Sequence, residues 1–214
     1  MKHVFVESNW VYGFCSPRHR RKPEAERLRE RAERGDLRVY IPGICLREGS
    51  EAVRRRCQPR FGDLGDYRRS AEQRGVVSAE DAAVVTRFFD QYERDVVQDL
   101  DEIDARLDRL RATHGVEAFA LSETMLDRVL QLRASVDEVS QMKPFDEAIL
   151  GAVVVRGEAL RAPGEELFFC TLDGDLLPWD KYNRPRAQLE NLYLNAGFVG
   201  GDGKVAVRSD FRIP

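Results

Sequence analysis

Short apolar runs ending in polar side chains punctuate this chain, and long stretches of three-four spacing separate them. His3-Val-Phe-Val6 leads straight into Glu7, Ser8 and Asn9. Such a run predicts a buried strand whose C-terminal tip faces a crevice. In open α/β sheets that tip is where ligands bind. Arg38-Val-Tyr-Ile41 predicts a second strand, stopped by Pro42. Leu167-Phe-Phe-Cys170 is continuously apolar, as expected of a parallel strand covered on both faces, and it runs into Thr171, Asp173 and Asp175. The glycines from Gly197 to Gly203 read as a turn before a last strand at Lys204–Val207.

Helical spacing fills the intervals. Ala25, Leu28 and Ala32 follow Pro23, and Gly35 closes that segment. From about Gly43 to Cys57, Ile44, Glu48 and Ala52 share a face, which puts Glu48 on the apolar side of its helix. Residues 62–75 are polar and glycine-punctuated, so they read as a loop or broken helix. Ser78 then caps a long amphipathic helix carrying Val85, Phe88, Tyr92, Val96, Leu100, Ile103, Leu107 and Leu110, ending near Gly115. A second helix, about Ser122 to Met142, has Met125, Val129, Leu132, Val136 and Val139 as its stripe. Together the two predict a helical hairpin. Lys143-Pro144-Phe145-Asp146-Glu147 opens a helix that is apolar nearly all round through Val155. That helix must be deeply buried, which places Asp146 at its inner end. A further helix lies near Arg186 to Asn195.

Strand alternating with helix argues for a parallel sheet with right-handed crossovers. Strand tips and the N-termini of following helices then meet on one edge, and Glu7, Asp146 and Asp173 belong to it, with Glu48 within reach. Each acid also has an ordinary explanation. Glu48 can pair with an arginine, Asp146 is common helix-start chemistry, and Asp173-Gly174 is a common turn. Taken jointly, carboxylates this close repel one another unless cations occupy the gap or some are protonated. Oxygen-only ligands favour Mg²⁺ or Mn²⁺, and metal-assisted phosphodiester hydrolysis fits such a group.

Composition narrows this little. The 214 residues carry a formal net charge of −3, so overall charge does not announce a nucleic-acid partner, and the arginines are instead clustered. Arg18, Arg20 and Arg21 form one cluster, and Arg54, Arg55, Arg56 and Arg60 a second; both suit a phosphate backbone around an acidic centre. Four cysteines without CxxC spacing and three scattered histidines argue against zinc. With no signal-like start and no long uncharged apolar segment, the expectation is a cytoplasmic protein with no membrane contact.

Four blocks in order then resemble PIN-domain nucleases: VFVESN at 4–9, YIPGICLRE at 40–48, FDEAILGA at 145–152 and FFCTLDGD at 168–175. The resemblance implies a three-layer α/β fold with a central parallel sheet, a divalent-metal site, endoribonuclease activity on RNA, and the toxin role of a toxin–antitoxin pair with an antitoxin-like partner. By position it implies Glu7, Glu48, Asp146 and Asp173 as the catalytic, metal-binding acids and Asp175 as an auxiliary ligand. Asn9 and Thr171 would orient the acids. The family's first acid is usually Asp; here it is Glu7, one methylene longer. The expectation is a single PIN-like domain over 1–214 with a helical insertion at about 61–142. That insertion would embrace RNA, bind a neutralising partner or pair two copies as a homodimer. Three other readings compete. A haloacid-dehalogenase-like phosphatase would need its Asp-x-Asp early rather than at 173–175. A PIN-like module that binds RNA or protein without cutting shares the fold, and a flap-type DNA nuclease shares the acids.

Overall fold

The computed structural model describes residues 1–58, 70, 73–75 and 78–214. Arg60, the expected start of the insertion at 61 and most of the polar stretch 62–75 lie outside the described residues.

Five strands form one all-parallel sheet: β1 (Lys2–Val6), β2 (Arg38–Pro42), β3 (Val116–Phe119), β4 (Glu166–Cys170) and β5 (Val207–Arg208), in the order β3-β2-β1-β4-β5. Helices flank it: α1 (Ser8–Cys15), α2 (Pro23–Glu33), α3 (Gly43–Arg56), α4 (Ala79–Asp101), α5 (Ile103–Ala112), α6 (Glu123–Ser135), the single turn α7 (Asp137–Ser140), α8 (Pro144–Leu160) and α9 (Ala187–Asn195). The chain leaves β1 for β2 and β3 on one side and returns for β4 and β5 on the other. β1 and β4 therefore flank the topological switch point, where a crevice opens beyond the strand tips. Their register pairs Val6 with Cys170, so Glu7 and Thr171 emerge level with each other.

The core explains why the central strands are apolar throughout. Phe5 stacks on Tyr40 at 5.1 Å and meets Phe198 edge-on at 5.3 Å, and all three are buried. α8 is buried over most of its surface, as its all-round apolar sequence demands. Among the described residues, no helix is long and apolar enough to cross a membrane.

The expected helical hairpin does not form. A break at Glu102 separates α4 from α5, and Gly115, at φ +76, turns the chain into β3, which pairs with β2 from Val39↔Val116 to Pro42↔Phe119. The stretch expected as an insertion at about 61–142 thus contains a strand of the sheet. α6 then packs on α8 rather than folding back along α4 and α5. Its stripe meets a glycine: a Cβ on Gly151 would sit 2.5 Å from Val129 Cγ2 and 2.9 Å from the Met125 carbonyl. The last strand is also shorter than Lys204–Val207 suggests. Val205 bridges Val199 across a turn, and β5 itself is Val207–Arg208.

α5 is tied to the body by Ile103, Leu107 and Leu110, which join the core, and a buried ion pair adds to this. Asp99 and Arg106, each 4% exposed, pair at 2.7 Å, and the other Arg106 nitrogen donates to the carbonyls of Cys15 and Ser16. Burial alone would raise the Asp99 pKa. The Arg18 amide and the Arg106 guanidinium outweigh it, so the carboxyl stays below its ordinary value.

The α6–α8 contact gives a direct test of the packing. Gly151→Ala should cost about 1–3 kcal/mol of stability by overpacking, more than the ~1 kcal/mol that alanine gains in helix propensity. A denaturant midpoint equal to or above that of the parent chain would contradict the close approach.

Candidate metal centre

Glu7 ends β1 and caps α1. Its Oε2 accepts the Asn9 amide at 2.6 Å, and its Oε1 accepts the Leu172 amide at 3.1 Å from beyond β4. The extra methylene of Glu lets one carboxylate staple the two strand tips across the switch point. The group is 2% exposed. Burial pushes its pKa up to about 7 against both amide hydrogen bonds, and the charge of Asp173 raises it further.

The loop after β4 is built around Asp173. The Asp173 amide donates to Thr171 Oγ1 at 3.0 Å, and its Oδ1 accepts the Asp175 amide at 2.9 Å. Thr171 is fully buried and so fixes the start of this turn. Arg186, just before α9, donates from a single Nη1 to the carbonyls of Gly174, Asp175 and Leu177 at 2.8–3.1 Å. Asp146 sits in the first turn of α8 behind Pro144, buried. Its pKa is pushed up to about 6 by burial and then by Asp173, with Asp175 and Glu48 adding and Lys143 opposing.

Asp146, Asp173 and Asp175 each present an oxygen within 4.8 Å of the others. Among the described residues, these three make no ion pair. The donor set is all oxygen and anionic, which fits a hard divalent cation and gives a soft one little to bind. A metal ion there would relieve the repulsion that raises Asp146.

The other predicted residues fall around this group. A cleft of about 230 Å³ is lined by Glu7, Ser8, Asn9, Tyr12, Glu48, Asp146 and Asp173 together with Arg55, Arg56 and Lys143. Glu48 is in the cleft, but not on the apolar face of α3 as its spacing suggested. Cys45, Leu46, Gly49, Ser50 and Val53 form the buried face, and Glu48 is exposed, hydrogen-bonded by the Ser8 hydroxyl. Asp175, expected as auxiliary, belongs to the tight group, whereas Glu7 and Glu48 stand outside it. Asn9 holds the Glu7 carboxylate through its backbone amide, whereas Thr171 acts through its side-chain hydroxyl, which accepts the Asp173 amide.

The two arginine clusters divide. Arg55 and Arg56 line the cleft, and Arg56 lies over the Tyr12 ring at 5.8 Å. Arg20 donates to the Arg56 carbonyl at 3.3 Å and so sits beside them. Arg18 and Arg21 turn instead to Asp99, at 3.5 and 3.8 Å. Two contributors carried no recognisable sequence signal. Lys143 reads only as a helix opener, and Arg186 is one arginine in a polar stretch. No family model, curated protein or solved structure matches the chain.

Both raised carboxyls bind their protons more tightly folded than unfolded, where the ordinary values are 4.5 and 3.8. Stability therefore falls as pH rises from the ordinary values, where the unfolded chain gives up these protons, and levels off above about 7, where the folded chain has lost them too. For Glu7 the difference is about 3 kcal/mol at full titration. Unfolding in a chelator between pH 5 and 8 should show this decline, and Glu7→Gln should flatten it. A parent chain whose stability is constant or rises over that range would contradict the burial of an ionisable Glu7.

Proposed function

We propose that this chain is a divalent-metal-dependent nuclease that hydrolyses RNA phosphodiester bonds, on a PIN-like variant of the three-layer α/β fold. The observation that carries the reading is the bipolar cleft. Asp146 and Asp173, two of the three clustered aspartates, line the same cavity as Arg55, Arg56 and Lys143, and these three cations have no acidic ion-pair partner among the described residues.

Asp146, Asp173 and Asp175 would hold Mg²⁺ or Mn²⁺. A divalent cation bound there supplies Lewis-acid polarisation of the phosphodiester and makes a nearby water more acidic. The protein's own groups do the rest. Arg55, Arg56 and Lys143 neutralise strand phosphates and hold the backbone against an otherwise repulsive acidic wall. Glu48, the exposed acid of the cleft, is the group we assign to taking up the proton from the attacking water. Thr171 and Arg186 keep the Asp173–Asp175 turn in shape. The choice of RNA, and a toxin role with an antitoxin-like partner, rest on the resemblance of the four sequence blocks. A small DNA-binding protein encoded beside this chain would support the toxin role.

Glu7 favours a second reading. Both its oxygens are occupied by backbone amides, so the acid that opens the sequence pattern serves as a clamp. A module that binds RNA without cutting it would keep such a clamp. Cleavage separates the two. Purified protein with Mn²⁺ or Mg²⁺ should cut single-stranded RNA, and Asp146→Asn or Asp173→Asn should lower the rate by roughly a hundredfold or more, given that outer-shell changes alone cost 10–100-fold. RNA binding that is indifferent to the metal, with no cleavage in the parent chain, would leave only the binding module.

A further inference from the structure

Seven residues beyond the Asp173–Asp175 turn, Tyr182 is 66% exposed at the tip of a hairpin. The hairpin is tightly specified. Trp179 and Pro185 bridge its base, and the Asp180 amide donates to the Arg184 carbonyl at 3.0 Å. Asp180 Oδ1 accepts the amides of both Tyr182 and Arg184, and its Oδ2 accepts Arg184 Nε at 2.7 Å. Asn183 completes the turn at φ +59, the one positive value outside glycine among the described residues. Two cations address the ring: Lys181 Nζ lies 5.0 Å and Arg184 Cζ 5.1 Å from its centroid. The residue stays two-thirds exposed with both in place.

The hairpin is also fastened to the metal centre. The Arg186 amide donates to the Pro178 carbonyl at the hairpin base, while its guanidinium grips the carbonyls of Gly174, Asp175 and Leu177. Three residues from Trp179 carry the tip no more than roughly 10 Å from that base. A turn that served only to reverse the chain would not need an exposed aromatic ring flanked in sequence by cations that approach it. Aromatic faces interleaved with cations are how proteins hold unpaired nucleotides without reading their sequence.

We propose that the Lys181–Arg184 hairpin is a stacking platform for one unpaired base of single-stranded RNA, with Tyr182 against the base, Lys181 against a neighbouring phosphate, and Arg184, paired with Asp180, holding the turn in shape. This deepens the nuclease reading by naming the strand form the enzyme takes. An unpaired base is required, because a duplex keeps its bases stacked on each other.

Binding of a short fluorescent single-stranded RNA, measured by anisotropy in a chelator, tests it without relying on cleavage. Tyr182→Ala should weaken binding about tenfold, the usual scale for one stacked base. Tyr182→Phe should stay near the parent affinity, and duplex RNA should show no dependence on residue 182. Replacing successive nucleotides by abasic ones should abolish the difference between parent and Tyr182→Ala at one position. Equal binding by parent and Tyr182→Ala, an equal loss for duplex RNA, or no binding by the parent chain would overturn the platform. Tyr182-dependent binding by a protein that never cuts would leave the platform standing and remove the nuclease reading. Cleavage with binding unchanged in Tyr182→Ala would remove the platform alone.

Discussion

Like charges held together at the tips of two neighbouring parallel strands are the constraint on which the rest of this molecule depends. The register that pairs Val6 with Cys170 leaves Glu7 and the Asp173 turn no room to diverge, and α8 delivers Asp146 into the same corner. The fold tolerates this through two devices. Amides of Asn9 and Leu172 take both oxygens of Glu7, and burial keeps protons on Glu7 and Asp146 well above the pH at which carboxyls ordinarily lose them. A cation supplied to Asp146, Asp173 and Asp175 would offset the repulsion that helps to raise Asp146. The site is thus strained electrostatically in the direction of metal binding.

The supporting structure is arranged to stop that strain from being relieved by movement. Thr171 is fully buried and pins the Asp173 amide, Asp173 in turn holds the Asp175 amide, and Arg186 closes the loop from the other side with three carbonyls. On the opposite flank, Gly49 lets α3 approach α1 so closely that a Cβ would lie 2.6 Å from Val11, which brings Glu48, Arg55 and Arg56 over the crevice. The contacts that hold this edge together run through backbone amides and carbonyls. Of the three clustered aspartates, Asp173 gives one oxygen to the Asp175 amide, and none of the three makes an ion pair among the described residues.

Much of this was legible in the chain. β1, β2 and β4 announce themselves as apolar runs, α8 by being apolar all round, and Glu7, Asp173 and Asp175 by following two of those runs. The remainder was hidden for definite reasons. β3 is four residues long with only Phe119 buried, so it has too little pattern to separate two helices into different parts of the fold. Glu48 was placed on the wrong side of α3 because Ile44 and Ala52 lie at the margin of the buried face. Arg18 and Arg21 read as a free basic cluster because their partner, Asp99, lies about 80 residues away, and no local spacing reveals a pair made across the fold. Arg186 acts through backbone carbonyls, which sequence does not display.

The claim underneath all of this is that three aspartates from two distant segments form one cation site. Isothermal titration of metal-free protein with Mn²⁺ at neutral pH tests it most directly. Saturable binding that disappears when Asp146 and Asp173 are both changed to Asn, with the variant still folded, is the result this account predicts. Equal binding by that folded variant, or none by the parent chain, would contradict it.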